Sequence, residues 1–144
     1  MKRQVEVWLN FAEKDLLTVS ELISSPELTN NAAFHCQQAI EKYFKAFLLE
    51  NERPLVKTHN LLTLYGTIKE IKDFGFDEDL LAIVSSIYLE SRYPGEMGLF
   101  EDESMPTIEQ VNHFFAFAKE IETKIKEELS QTVMSGDMIL HEES

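Results

Sequence analysis

Four polar side chains that could bind an anion or a small polar ligand recur within one stretch of the chain, residues 30–51. They are His35, Gln38, Lys42 and Lys45, and the steps between them are three, four and three residues. This spacing places an imidazole, an amide and two ammonium groups on one face of an α-helix. The alternative is the ordinary solvated back of a core helix.

The other face of the same stretch is apolar, so the pattern predicts one long amphipathic helix from Asn30 to Asn51. Asn30 or Asn31 is expected to cap its first turn. The only cysteine, Cys36, falls on the apolar face, where packing is a better interpretation than catalysis. The residues of the apolar face are Ala33, Cys36, Ile40, Tyr43, Phe44 and Phe47.

Four further helices are predicted, with no strand and no internal repeat, which makes an all-α, up-and-down antiparallel bundle of four to five helices. Residues 3–24 come before the long helix, and Thr58 is expected to cap a third helix. Asp77 is expected to cap a fourth helix that ends near Glu90. Thr107 and Gln110 have capping-box spacing and open a final helix that ends near residue 129.

Composition indicates a single globular domain, residues 1–130, followed by a flexible acidic tail, residues 131–144. One cysteine allows no internal disulfide, and no apolar run suggests a signal peptide or a membrane span, so a reduced cytoplasmic setting is expected. The net charge of −13 argues against binding of long nucleic acid. A local positive pocket for a small anion or nucleotide remains open, because four bases lie between Lys42 and Lys57.

Three phenylalanines of the final helix, Phe114, Phe115 and Phe117, are too closely spaced to face one core. A second apolar surface, and therefore a dimer or a partner interface, is the simplest explanation. The alternative is partial exposure of one ring. No phosphate-binding glycine loop, zinc-type cysteine pair or HExxH pattern is present, and the four histidines lack metal-ligand spacing, so no metal or cofactor is expected.

Four segments together resemble a HEPN domain. They are WLNFAEKDL at 8–16, NAAFHCQQAIEKYFKAFLLEN at 31–51, KTHNLLTL at 57–64 and RYP at 92–94. The resemblance covers nearly all of residues 5–130. It implies a bundle similar to the C-terminal helical domain of aminoglycoside nucleotidyltransferases. It also implies a homodimer, and a separately encoded minimal nucleotidyltransferase as partner, in modules that include toxin–antitoxin pairs.

HEPN members that act as ribonucleases carry an arginine followed, after four to six residues, by a histidine. By this resemblance the arginine is Arg92, but Met97, Gly98 and Leu99 occupy the positions where the histidine would stand. Arg53 and His59 match the spacing literally, but they lie in the wrong part of the chain and the match is interpreted as accidental. The chain therefore keeps the cation and lacks the imidazole that such cleavage requires.

The resemblance favours a non-catalytic subunit that binds a nucleotide, or the substrate of the nucleotidyltransferase. The lysines and Arg92 would meet phosphate, Gln38 would bond polar groups, and Tyr93 would stack on a base or pack beside Pro94. Glu41 is expected to pair with Lys45 one turn later. A ribonuclease toxin and a dimeric scaffold without small ligand are the alternatives. The complete candidate surface is His35, Gln38, Lys42, Lys45, Lys57, His59, Arg92 and Tyr93.

Overall fold

The computed structural model describes residues 1–92 and 105–143, with side chains placed for residues 1–88 and 105–132. These ranges contain five α-helices and a short 3-10 turn, Pro26–Leu28, and they contain no strand. The all-α bundle is therefore confirmed. The helices are α1 Arg3–Leu22, α2 Thr29–Glu50, α3 Leu61–Lys69, α4 Glu78–Arg92 and α5 Ile108–Glu143.

Helix α2 is the centre of the bundle, because it packs against each of the other four helices. Its neighbour α1 runs antiparallel to it. The ammonium of Lys2, just before α1, donates to the carbonyl of Leu49 near the end of α2, at 3.3 Å. Further along α1, Asp15 reaches His35 in the first half of α2, at 2.8 Å. A helix surrounded in this way buries residues on more than its apolar face.

Aromatic rings form the part of the core between α2 and the segments that follow it. Phe44 of α2 stacks on Tyr65 of α3 and on Phe76, with ring centroids 5.8 and 6.0 Å apart. The Tyr65 hydroxyl donates to Asp73 at 3.0 Å and accepts from the backbone N–H of Phe74 and of Phe76. The buried phenol thus satisfies backbone donors in the turn that leads to α4.

Two predicted helix caps are confirmed. The carboxylate of Asp77 accepts from the backbone N–H of Leu80 at 3.1 Å, at the start of α4. At the start of α5, Thr107 and Gln110 form the reciprocal capping box, with bonds of 2.8 and 3.0 Å. In both cases the cap and its target are three residues apart, a distance that sequence spacing specifies directly.

Two other predicted caps are wrong. The cap of α3 is Asn60, whose side chain accepts from the N–H of Leu62 and of Thr63, whereas Thr58 accepts from the N–H of Asn60. Helix α2 begins at Thr29 and has no side-chain cap, because Leu28 occupies the capping position. The 3-10 turn is followed directly by α2, so the helix begins one residue before the predicted Asn30.

Helix α5 continues to Glu143, well past the residue near 129 where its apolar pattern was expected to end it. Most of residues 131–144, predicted as a flexible tail, therefore lie on the helix. Phe114 and Phe117 are buried and Phe115 is half-buried against the core. The crowding of phenylalanines thus leaves one partly exposed ring and does not by itself require a partner.

Within the described ranges, no helix combines the length and the apolar character that crossing a lipid bilayer requires.

Candidate functional site

The polar stripe of α2 is organised by two buried carboxylates, Asp15 and Glu41, which are 7% and 4% exposed. The first forms the Asp15 cluster with His35 and Lys42. One Asp15 oxygen accepts from Nδ1 of His35 at 2.8 Å, and the other accepts from the Lys42 ammonium at 2.5 Å. The carboxylate comes from α1, so the first half of the stripe is tied to the neighbouring helix.

The second carboxylate forms the Glu41 cluster with Gln37, Lys45 and His59. One Glu41 oxygen accepts from Nδ1 of His59 at 2.9 Å and from the Gln37 amide at 3.1 Å. The other accepts from the Lys45 ammonium at 2.9 Å, which confirms the predicted pairing one turn apart. Gln37 also donates to the backbone carbonyl of His59 at 3.3 Å, so α2 holds the loop that carries this histidine.

The two clusters share one pattern, in which a carboxylate binds a histidine through one oxygen and a lysine through the other. Each carboxylate and its lysine sum to zero charge, so with neutral imidazoles neither cluster is a strong anion site. Because a carboxylate only accepts, Nδ1 of each histidine must carry the hydrogen. The remaining nitrogen, Nε2, is then an acceptor in the neutral ring, and it has no hydrogen-bond partner among the residues that the structure describes.

A groove of about 420 Å³ opens beside the Glu41 cluster, between the loop before α3 and helix α4. His59 lies in its wall, and its side chain is 48% exposed. Tyr88 of α4 stacks on the His59 ring, with centroids 3.9 Å apart and planes 19° from parallel. The volume is in the range of small-molecule sites. The lining residues are Lys57, Thr58, His59, Asn60, Leu62, Ala82, Ser85, Ser86 and Tyr88.

A series of four rings links the two clusters. Phe34 meets His35 edge to face at 5.6 Å and stacks on Tyr88 at 6.3 Å, and Tyr88 stacks on His59. The two histidines therefore flank a pair of aromatic rings contributed by α2 and α4. This arrangement fixes the orientation of both imidazoles, because each is held by a carboxylate at one nitrogen and by ring contacts at its faces or edge.

The structure brings together most of the residues that the sequence singled out. His35 and Lys42 meet at Asp15, and Lys45 and His59 meet at Glu41. Gln38 donates to the side-chain oxygen of Gln37 at 2.7 Å, which attaches it to the Glu41 cluster.

The three remaining predicted positions are Lys57, Arg92 and Tyr93. Lys57 lines the groove, and its side chain is exposed. Arg92 is the last residue of α4, and its side chain lies outside the described part of the structure. Tyr93 lies outside the described residues altogether, as do positions 97–99.

Sequence reasoning missed Asp15 and Gln37, which anchor the site. Asp15 interrupts the apolar face of α1 next to the buried Leu16, and Gln37 follows the buried Cys36 on α2. A polar residue inside an apolar helical pattern is a recognisable signal of a buried hydrogen bond. The sequence offered no comparable signal for Ser85 and Tyr88, which approach the groove only because α4 packs beside the loop.

The remaining residues considered from the sequence as possible catalytic groups are Cys36 and the Arg53–His59 match, and neither is arranged for catalysis. Burial raises the pKa of the Cys36 thiol to about 12, so the thiolate that a nucleophile needs is strongly disfavoured. Arg53 pairs with Glu70 at 3.1 Å, whereas His59 is held by Glu41, so the two residues of the literal Arg–His match belong to different contacts. In the described part of the chain, no group of three or more metal-binding side chains is found.

The structure is a helical bundle whose central helix carries two clusters of imidazole, amide and ammonium groups held by carboxylates. A groove lies next to one of these clusters, at His59. The HEPN domain model matches residues 5–128. The chain therefore belongs to the HEPN family.

One solved structure gives the same result for the fold. The crystal structure of an archaeal HEPN homologue has a TM-score of 0.62 to this chain and 24% sequence identity. The match covers 89% of this chain and 98% of that one. At this identity the likeness shows the fold alone. None of the curated proteins compared with the chain matches it.

Proposed function

We propose that this HEPN protein is a binding subunit, without catalytic activity of its own, for a separately encoded minimal nucleotidyltransferase. It binds a nucleotide or the transferase substrate and acts as a homodimer, in a two-gene module of the toxin–antitoxin kind. The observation that carries the proposal is the Glu41 cluster, whose His59 lines a groove of ligand size, together with the Asp15 cluster linked to it by aromatic rings. Such a site can position a ligand, and positioning is the main demand of phosphoryl transfer.

Within this proposal the site residues have different tasks. Lys45 is 8% exposed and bound to Glu41, so it holds the carboxylate that orients His59 and does not reach ligand itself. His35, Gln38, Lys42, Lys57 and His59 are placed to contact ligand, and the proposal extends to Arg92 and Tyr93 through the family resemblance. The missing histidine at residues 97–99 favours binding over cleavage.

Copurification with the nucleotidyltransferase encoded by the adjacent gene is the direct test. We expect a stable complex on size exclusion. We also expect ATP at about 100 times its Kd to raise the melting temperature of the HEPN chain by roughly 5–10 °C. His59→Ala should reduce the ATP-induced shift, whereas His113→Ala, a change of an exposed histidine on α5, should not. Absence of both the complex and the shift would refute the proposal.

RNA cleavage is the second candidate function, and one observation favours it. Each imidazole is oriented by a carboxylate at Nδ1 and leaves Nε2 to take a proton, as a general base must. If the chain is a ribonuclease, purified wild-type protein should cleave RNA, and Arg92→Ala and His59→Ala should each lower the rate by about 10²-fold or more. Equal background cleavage by all three proteins would dismiss this candidate.

A further inference from the structure

Among the described residues that line it, the groove beside His59 contains few groups that could bind phosphate. The first backbone N–H groups of α3 are already bonded: Leu61 donates to the Ser85 hydroxyl at 2.9 Å, and Leu62 and Thr63 donate to Asn60. The start of this helix therefore has no donors left for an anion.

The charges around the groove lead to the same conclusion. The ammonium of Lys45 is neutralised by Glu41 within the cluster. Lys57 is the one lysine or arginine among the described lining residues, and it is exposed to solvent. A single exposed ammonium contributes little to the binding of a polyphosphate, because water and salt screen it.

The groups that remain suit hydroxyls. Nε2 of His59 offers a lone pair, since Glu41 fixes the hydrogen on Nδ1. The Ser85 oxygen accepts from Leu61, which leaves its own hydrogen to donate. An acceptor and a donor thus stand in one groove, beside the stacked rings of His59 and Tyr88. Paired donors and acceptors next to an aromatic surface match the alternating edges and faces of a sugar ring.

From this arrangement we infer that the groove binds the uncharged ring hydroxyls of a sugar or nucleoside, and that the Glu41–His59 pair selects for them. Phosphates of the same ligand lie outside the groove. The inference rests on the proposed function and deepens it, because it assigns one part of the ligand to one part of the site. His59 acts here as a specificity-determining residue through a hydrogen bond accepted at Nε2.

Amide NMR titration of the whole chain tests the inference with four probes: adenosine, 2′,3′-dideoxyadenosine, methyl glucoside and pyrophosphate. Adenosine or methyl glucoside should shift the amides of Thr58, Asn60 and Ser86, and the probe that does so identifies the source of the hydroxyls. If adenosine binds, removal of its 2′ and 3′ hydroxyls should weaken binding at least tenfold. Pyrophosphate should neither shift these amides nor displace the bound probe.

A matched pair of histidine variants locates the effect. His59→Ala should weaken binding of the hydroxyl probe at least tenfold, whereas His113→Ala, a change of an exposed histidine on α5, should leave it unchanged. The tautomer can be read without any variant, from long-range ¹H–¹⁵N spectra of the imidazoles at alkaline pH. His59 should carry its hydrogen on Nδ1.

Four results would overturn the inference: a hydrogen on Nε2 of His59, binding of adenosine in the groove that its dideoxy analogue equals, competition by pyrophosphate for the groove, or no response of the groove to either hydroxyl probe. None of them removes the complex with the nucleotidyltransferase or the ATP-induced rise in melting temperature. Failure of this inference can therefore be told apart from failure of the proposed function.

Discussion

Replacement of Glu41 by alanine is expected to lower the free energy of unfolding by about 3–5 kcal/mol. The side chains of Glu41 and Lys45 are only 5% and 10% exposed, so the change leaves a buried ammonium without its counter-charge. It also removes the acceptor of the Gln37 amide and of Nδ1 of His59. Urea denaturation followed by circular dichroism measures the loss, as a lower midpoint at unchanged slope.

An exposed glutamate provides the matched control. Glu70 pairs with Arg53 at 3.1 Å, but its side chain is 63% exposed, and Glu70→Ala should cost no more than about 1 kcal/mol. Converting Glu41 and Lys45 together to methionine should recover a large part of the loss, because apolar replacement removes both buried charges. Equal costs for Glu41→Ala and Glu70→Ala would contradict the buried-pair interpretation.

The Glu41 cluster also shows how far the sequence predicts the site. Helical spacing placed His35, Gln38, Lys42 and Lys45 on one face and correctly paired Glu41 with Lys45, because these relations lie within one helix. The spacing of residues along a helix does not show how deeply each side chain is buried. The structure covers the stripe with α1 on one side and with the loop before α3 on the other, so its residues belong to a partly buried network.

Long-range partners account for most of what was missed. Asp15 meets His35 across a separation of 20 residues, and Tyr88 reaches His59 from another helix. A single sequence does not show which distant positions come into contact. A polar residue within an apolar pattern indicates only that this residue needs a buried hydrogen-bond partner. The helix caps show the same contrast. Asp77 bonds three residues along the chain and was predicted, whereas competition between Thr58 and Asn60 depended on the path of the loop.

Truncation of Phe44 to alanine is the second change with a large expected effect, a loss of about 3–5 kcal/mol in the free energy of unfolding. The ring is fully buried and stacks on Tyr65 and Phe76, so its removal opens a cavity between α2, α3 and the turn before α4. Rigid aromatic neighbours can close only part of that cavity. Denaturant unfolding monitored by tyrosine fluorescence or circular dichroism provides the measurement.

Phe11→Ala is the control for Phe44→Ala, because Phe11 is 49% exposed on α1 and should cost about 1 kcal/mol or less. A comparable loss in the two variants would mean that the Phe44 side of α2 is not the core.

The Phe44 and Glu41 variants also separate the two faces of α2. Phe44 contacts Tyr65 and Phe76, which do not line the groove, so folded Phe44→Ala protein should bind the hydroxyl probe with unchanged affinity, measured below its melting temperature. Glu41→Ala should lose affinity as well as stability, because His59 is no longer held in one tautomer. If α2 only supported the core, Phe44→Ala and Glu41→Ala would have the same effect on affinity for the probe. If α2 also orients the site, only Glu41→Ala lowers that affinity.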